Sequence, residues 1–274
     1  MKRKVSMRVS MAAGSCPGKV RKNNEDQFLL NGKILFRDWP ENAVLTDQTE
    51  GEEAALVAVF DGMGGHDRGE EAALIAARTA EEYARSAQWE HPEDALTDLC
   101  LEANQRIVRT GGGGKMGTTA VMLYLNGDSY CLCNIGDSPA FLLRDRMMKN
   151  ISREHTHRAV YERINGPAEP GKKFPLTQYL GIPGDEMLIE PHTCGGSLRC
   201  GDMFLLCSDG VTDMLTREEI LEVLLKAASP AKAVEALMES AMEKGGKDNI
   251  TALCIGVEAG KIPTFWQRLR GKFL

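Results

Sequence analysis

Apolar runs that stop on an aspartate set the strongest limit on how this chain can fold. The run at 54–60 ends at Asp61-Gly62, the run at 129–135 at Gly136-Asp137-Ser138, and the run at 203–207 at Ser208-Asp209-Gly210. A fourth motif, Gly246-Lys247-Asp248-Asn249, leads into the apolar run 250–257. Short apolar runs of this kind read as buried strands. A carboxylate at the end of one is costly to bury alone, and like charges resist crowding. If the fold gathers these ends, positive charge must sit between them. A divalent metal cluster is the simplest candidate.

At 274 residues the chain can bury a sizeable core. Its 33 Lys and Arg against 39 Asp and Glu leave a net charge of −6. That argues against nucleic-acid binding, which needs a broad basic face. It allows a phosphorylated substrate, because bound metal inverts the local field. The eight cysteines form no C-x-x-C pair and mostly sit in apolar stretches. They read as small buried hydrophobes in a reducing, cytoplasmic compartment. The basic start Met1-Lys2-Arg3-Lys4 lacks the apolar stretch of a signal peptide. No segment approaches the roughly 20 apolar residues of a membrane-spanning helix.

Along the chain, 5–16 reads as a strand and 27–36 as a hairpin about Asn31-Gly32. Residues 37–53 are polar and read as a loop. Helices are expected at 69–87 and 92–109, the second ended by the glycines at 111–114. Asn126-Gly127-Asp128 and Arg144-Asp145-Arg146 each sit between apolar runs and mark hairpins. Residues 152–197, with Pro167, Pro170, Pro175, Pro183 and Pro191, read as a long surface excursion holding one helical piece. Thr216-Arg217-Glu218-Glu219 is a capping box, and Ser229-Pro230 opens a last helix that stops at Gly245-Gly246. Hairpins mixed with paired helices give an α+β class with mainly antiparallel sheet.

Hard oxygen donors select Mg²⁺ or Mn²⁺ over zinc. A glycine after an aspartate lets the backbone approach an ion, so Gly62 is a candidate carbonyl ligand. Two such ions about 3.5–4 Å apart, sharing a carboxylate, suit hydrolysis of a phosphate ester.

Read in order, the motifs are Arg21-Lys22-Asn23-Asn24-Glu25-Asp26, Asp61-Gly62-Met63-Gly64-Gly65-His66, Gly117-Thr118-Thr119, Gly136-Asp137-Ser138, Ser208-Asp209-Gly210 and Asp248-Asn249. This set resembles the metal-dependent protein serine/threonine phosphatases of type 2C, and its bacterial members most. The resemblance implies a four-layer α/β/β/α sandwich, two packed antiparallel sheets flanked by helix pairs. It implies a single catalytic domain over 1–260 followed by a basic, aromatic tail at 261–274. It assigns Asp61, Gly62, Asp209 and Asp248 to two Mn²⁺ or Mg²⁺ ions and Asp137 to an optional third. Glu25 and Asp26 would act through metal-bound water, and Arg21 would hold the substrate phosphate with a guanidinium able to grip two oxygens. The implied reaction is hydrolysis of phosphoserine and phosphothreonine in proteins by a metal-activated water.

The implied partners are phosphorylated targets of a Ser/Thr kinase, met by a monomer. A catalytically weak relative that binds phosphoproteins as a regulatory module is the alternative. Two positions depart from the pattern. Met63 stands where some members carry a histidine, leaving His66 or a metal-bound water as proton donor. The flap that follows Gly136-Asp137-Ser138 is matched only loosely, by Glu154-His155-Thr156, and is short. In the tail, Phe265, Trp266, Leu269 and Phe273 fall near one face of a helix; it would dock on the domain, on a membrane surface or on a partner.

Overall fold

The structure, a computed structural model, describes residues 7–36, 39–40, 43–63, 68–111, 116–169 and 172–260. The expectations for Arg3, Lys4, His66, the glycines at 112–114 and the tail at 261–274 lie outside the described residues.

The chain opens with β1 (Met7–Cys16), the hairpin β2 (Gln27–Leu30) and β3 (Lys33–Ile34), then β4 (Val44–Glu50), β5 (Ala55–Phe60) and the two-residue β6 (Gly62–Met63). Helices α1 (Arg68–Ser86) and α2 (Pro92–Gly111) follow. Next come β7 (Gly117–Thr118), β8 (Ala120–Asn126), β9 (Ser129–Ile135), β10 (Ala140–Arg144) and β11 (Met147–Asn150). Helix α3 (Arg158–Asn165) leads through a long segment to β12 (His192–Ser197) and β13 (Met203–Cys207). The short α4 (Asp209–Thr212), α5 (Arg217–Lys226), α6 (Pro230–Glu243) and β14 (Ile250–Ala259) close the fold.

Among the described residues the strands form two six-stranded antiparallel sheets, ordered β11-β10-β13-β14-β1-β4 and β12-β9-β8-β5-β2-β3. Their facing sides share a core that includes Met11, Phe28, Leu123, Phe204 and Ile255. Helices α1 and α2 cover the outer face of the second sheet through Ala76, Leu96 and Ile107. Helices α4 to α6 cover the first through Val211, Leu224 and Leu237. Central strands are therefore buried on both faces. Val121, Leu123 and Leu125 point between the sheets, whereas Met122 and Tyr124 point at the helices. That is why these strands read as unbroken apolar runs, not as alternating ones. Truncating a side chain such as the fully buried Leu123 to Ala should cost about 2–5 kcal/mol.

Local signals behave as their chemistry dictates. Asn31 and Gly32 both take positive φ, 48° and 83°, the pair a two-residue hairpin needs. The Thr216 side chain accepts from the Glu219 N–H while the Glu219 carboxylate accepts from the Thr216 N–H at 2.9 Å, a complete capping box. Six of the eight cysteines are buried, Cys194 is half-buried and Cys200 is exposed, and none is in a disulfide.

Two strands arise where loops are expected. Residues 44–50 form β4, an edge strand that pairs only with β1 and leaves much of its surface in water, so its polar side chains are tolerated. The end of the excursion at 152–197 forms β12, an edge strand on β9. Its Gly195-Gly196 pair lacks side chains, and the Tyr130 ring closes over Gly196 in their place. No described helix is long and apolar enough to cross a membrane.

Candidate active site

Antiparallel pairing decides where the aspartates go. The start of β2 lies beside the end of β5, with Gln27 opposite Phe60. The start of β8 lies beside the end of β9, with Ala120 opposite Ile135. Cys207 at the end of β13 faces Ala252 near the start of β14, and Ile250 faces Cys16 at the end of β1. The segments that leave these ends carry 21–26, Asp61, Asp137, Asp209 and Asp248. Arg21, Glu25, Asp61, Gly62, Met63, Thr119, Asp137, Lys173, Asp209 and Asp248 line one cavity of about 430 Å³ at that end of the sandwich.

Each motif is tied down by a neighbour from a distant part of the chain. The Thr118 hydroxyl donates to the Asp61 carbonyl at 2.9 Å, and the Asp61 N–H donates to Thr119 Oγ1 at 3.1 Å. Gly62 packs so closely that a Cβ there would collide with the carbonyl oxygens of Glu25 and Gly69. Asp26 is buried behind the cavity wall, and its Oδ2 accepts from Ser208 Oγ at 2.7 Å and Thr251 Oγ1 at 2.6 Å. Gly136 takes φ +103°, and its N–H donates to His155 Nδ1 at 3.1 Å. His155, the loosely matched start of the flap, thus braces the turn that presents Asp137.

The Asn249 amide ties the start of β14 to the segment between β1 and β2. Its Nδ2 donates to the carbonyls of Pro17 at 3.1 Å and Asn23 at 2.9 Å, while its Oδ1 accepts from the Glu25 N–H at 2.8 Å. Sequence reasoning assigned a role to Asp248 and none to this neighbour. A buried amide needs several partners, but the burial of Asn249 shows only in the structure. Asn249→Ala frees the loop that carries Arg21, Glu25 and Asp26. Mn²⁺ affinity, read by isothermal titration, should fall about 10–100-fold, the usual effect of losing a group that orients metal ligands.

The carboxylates strain against one another. Asp61 is pushed well above the usual carboxylate range, first by burial and then by Asp26, Asp209, Asp137 and Asp248. Burial, with help from Asp209, raises Asp137 to about 6. Asp26 reaches about 7, with burial outweighing its two hydroxyl donors. Burial also raises Asp209, although Lys173 pulls it the other way.

Hard oxygen donors that repel one another in this way fit a divalent cation of the Mg²⁺ or Mn²⁺ type. Even so, among the described residues no three Asp, Glu, His or Cys side chains are grouped so as to hold one ion as they stand. Two side-chain cations stand among them instead. Arg21 Nη2 lies 2.8 Å from Asp248 Oδ2. Lys173 Nζ lies 2.7 Å from Asp209 Oδ2, 2.9 Å from Asp213 Oδ2 and 3.5 Å from Asp248 Oδ2. Burial opposes the lysine's charge, but Asp209 and Asp213 hold its ammonium above the usual lysine range.

Known proteins resemble this chain in sequence and fold. The profile of the family described as Protein phosphatase 2C matches residues 41–250. Over 254 residues the chain is 28% identical to the serine/threonine phosphatase stp of Listeria innocua, an alignment that takes in 87% of this chain and 92% of the relative. It is 29% identical over 269 residues to the serine/threonine protein phosphatase PstP of Mycobacterium tuberculosis, covering 93% of this chain and 46% of that one. The crystal structure of the catalytic domain of PstP, described as a complex with two manganese ions, matches with a TM-score of 0.75 at 26% identity, over 92% of this chain and 99% of that one. The family profile spans most of the sandwich and four of the aspartate motifs on its rim, and the chain belongs to the protein phosphatase 2C family.

Proposed function

We propose that this chain is a metal-dependent phosphatase that hydrolyses phosphoserine and phosphothreonine in proteins. The observation that carries the reading is the convergence of Asp61, Asp137, Asp209 and Asp248 on one cavity with Arg21 at its rim. Asp61, Asp209, Asp248 and the Gly62 carbonyl would hold two Mn²⁺ or Mg²⁺ ions, with Asp137 toward an optional third. When bound, such ions supply a water of lowered pKa and neutralise charge on the phosphoryl oxygens.

The chain's own residues then bind and orient. Arg21 exchanges Asp248 for two oxygens of the phosphate, which its planar fork matches. Asp26 and Asn249 keep the 21–26 loop against β14, so the guanidinium meets the phosphate in a fixed place. Met63 cannot transfer a proton, which leaves that task to water or to His66. We read residues 1–260 as one catalytic domain and 261–274 as an appended tail. We also place the protein in the cytoplasm as a monomer acting on the targets of a Ser/Thr kinase; the relatives named serine/threonine phosphatases support the phosphoprotein substrates.

The test is hydrolysis of a phosphothreonine peptide with millimolar Mn²⁺. Turnover is expected with the metal and not after chelation; an inert protein that still takes up Mn²⁺ would favour the phosphoprotein-binding module. Arg21→Ala is expected to raise the Michaelis constant about tenfold, the worth of one charge-assisted contact. An unchanged constant with a large loss of turnover would count against phosphate binding.

A further inference from the structure

Lys173 is delivered to the carboxylates by a segment that is itself fastened. Thr156 and Leu176 form an antiparallel bridge, the Thr177 N–H donates to the His155 carbonyl at 2.8 Å, and the His157 N–H donates to the Pro175 carbonyl at 3.1 Å. On either side of Lys173, its neighbours turn to α3. Lys172 Nζ sits 3.8 Å above the Tyr161 ring, and the Phe174 ring packs on Tyr161 at 5.1 Å between centroids, with Arg158 5.0 Å over it. Side chains of extended chain alternate. With Lys172 and Phe174 held on one side, Lys173 projects to the other, into the cavity.

Its place there conflicts with the metal reading. An ion bound by both Asp209 Oδ2 and Asp248 Oδ2 would sit about 2.0–2.2 Å from each oxygen. Those same oxygens lie 2.7 and 3.5 Å from Nζ. The ion would have to take the position of the ammonium or press against it, and two positive charges cannot share that space. Asp213 is the third partner of Nζ, at 2.9 Å, and none of the metal assignments uses it. It offers the lysine a place to retreat. The Lys173 side chain is 57% exposed, which leaves its end room to shift between these partners.

We propose that Lys173 is a built-in competitor for the second cation. Without metal, its ammonium neutralises Asp209 and Asp248 and latches the flap onto the site. Metal enters this position only as Lys173 gives up Asp209 and Asp248 and keeps Asp213, which it already meets at 2.9 Å. Arg21 lies nearer to Asp248 Oδ2, at 2.8 Å against 3.5 Å for Lys173, so Asp209, 2.7 Å from Nζ, is the carboxylate for which ion and lysine chiefly compete. The inference rests on the phosphatase reading of the site.

Isothermal titration of the full chain with Mn²⁺ alone tests it. Lys173→Met removes the charge and keeps the length of the side chain. The second Mn²⁺ should then bind about tenfold or more tightly, the scale on which groups next to metal ligands act, with the first ion unaffected. Without Mn²⁺ the variant should melt lower than wild type, because the carboxylates lose their counter-charge. Lys173→Arg, which keeps the charge, should restore wild-type affinity at the second site. Equal Mn²⁺ affinities in wild type and Lys173→Met would overturn the competition and leave the phosphatase reading standing. A wild type that takes up no Mn²⁺ would overturn both.

Discussion

Asp61→Asn removes Mn²⁺-dependent turnover of a phosphothreonine peptide and makes the metal-free protein more stable. Both effects come from one charge. If Asp61 serves both ions, as proposed, it would support metal chemistry at both positions, so its loss should lower turnover by at least about 10²–10³-fold, the size seen when one preorganised electrostatic group is removed. Without metal, the same carboxylate is a liability. Burial and four neighbouring aspartates push it well above the usual range. Asparagine keeps the shape and drops the charge. The backbone contacts to Thr118 and Thr119 that hold position 61 are unaffected, since they use the main-chain N–H and carbonyl. Thermal melts in chelator at pH 7 should show a rise of roughly 2–4 °C, what 1 kcal/mol brings in a chain of this length. A variant that loses activity and also melts lower would mean that Asp61 has a structural role the charge argument leaves out.

Stability of the metal-free protein falls as pH rises from about 4 to 7, and Mn²⁺ reverses the trend. An ordinary aspartate titrates near 3.9. Asp137 titrates at about 6 and Asp26 at about 7 in the folded chain, and Asp61 and Asp209 are also raised. Between those values the folded chain holds protons that the unfolded chain releases. The contribution is fully present below pH 4 and is lost as pH climbs through 6 and then 7. Ordinary acid unfolding acts in the opposite sense, so the comparison that isolates these groups is wild type against Asp26→Asn, whose melting temperature should depend less on pH in this window. Metal ligands must be deprotonated. Mn²⁺ affinity should therefore rise over the same window, and at a free concentration 100 times its Kd each ion should add about 2.7 kcal/mol at 25 °C. Equal pH slopes for wild type and Asp26→Asn in chelator would rule this account out.

Much of the fold was legible because its signals are local. Asn31-Gly32, the Thr216 capping box and Ser229-Pro230 each act over two to four residues, and each forms as its chemistry dictates. The central strands were legible because burial on both faces demands unbroken apolar runs. Strands β4 and β12 were not. An edge strand needs only one partner, so it tolerates the Thr, Asp and Gln of β4 and the bare glycines of β12, and nothing in its own residues announces the pairing.

The site divides in the same way. Asp61, Asp137, Asp209 and Asp248 could be picked out because each adjoins a strand, where a charge is conspicuous. Ser208, Thr251, His155 and Asn249 could not, since a hydroxyl, imidazole or amide near a strand has many ordinary uses. Their function is to satisfy particular partners, and those partners come from elsewhere in the chain.

By itself, then, the sequence determined which strands end on carboxylates, in what order, and that such ends require positive charge if they meet. The tertiary structure decided that they do meet, because antiparallel registry sets the ends of β5, β9 and β13 beside the starts of β2, β8 and β14. It also decided what first supplies the charge. Arg21 reaches Asp248 across 227 residues of chain, and Lys173 reaches Asp209 across 36. No local rule links such positions. Ion pairs between distant segments exist only once packed sheets and a fastened flap have brought the two ends together.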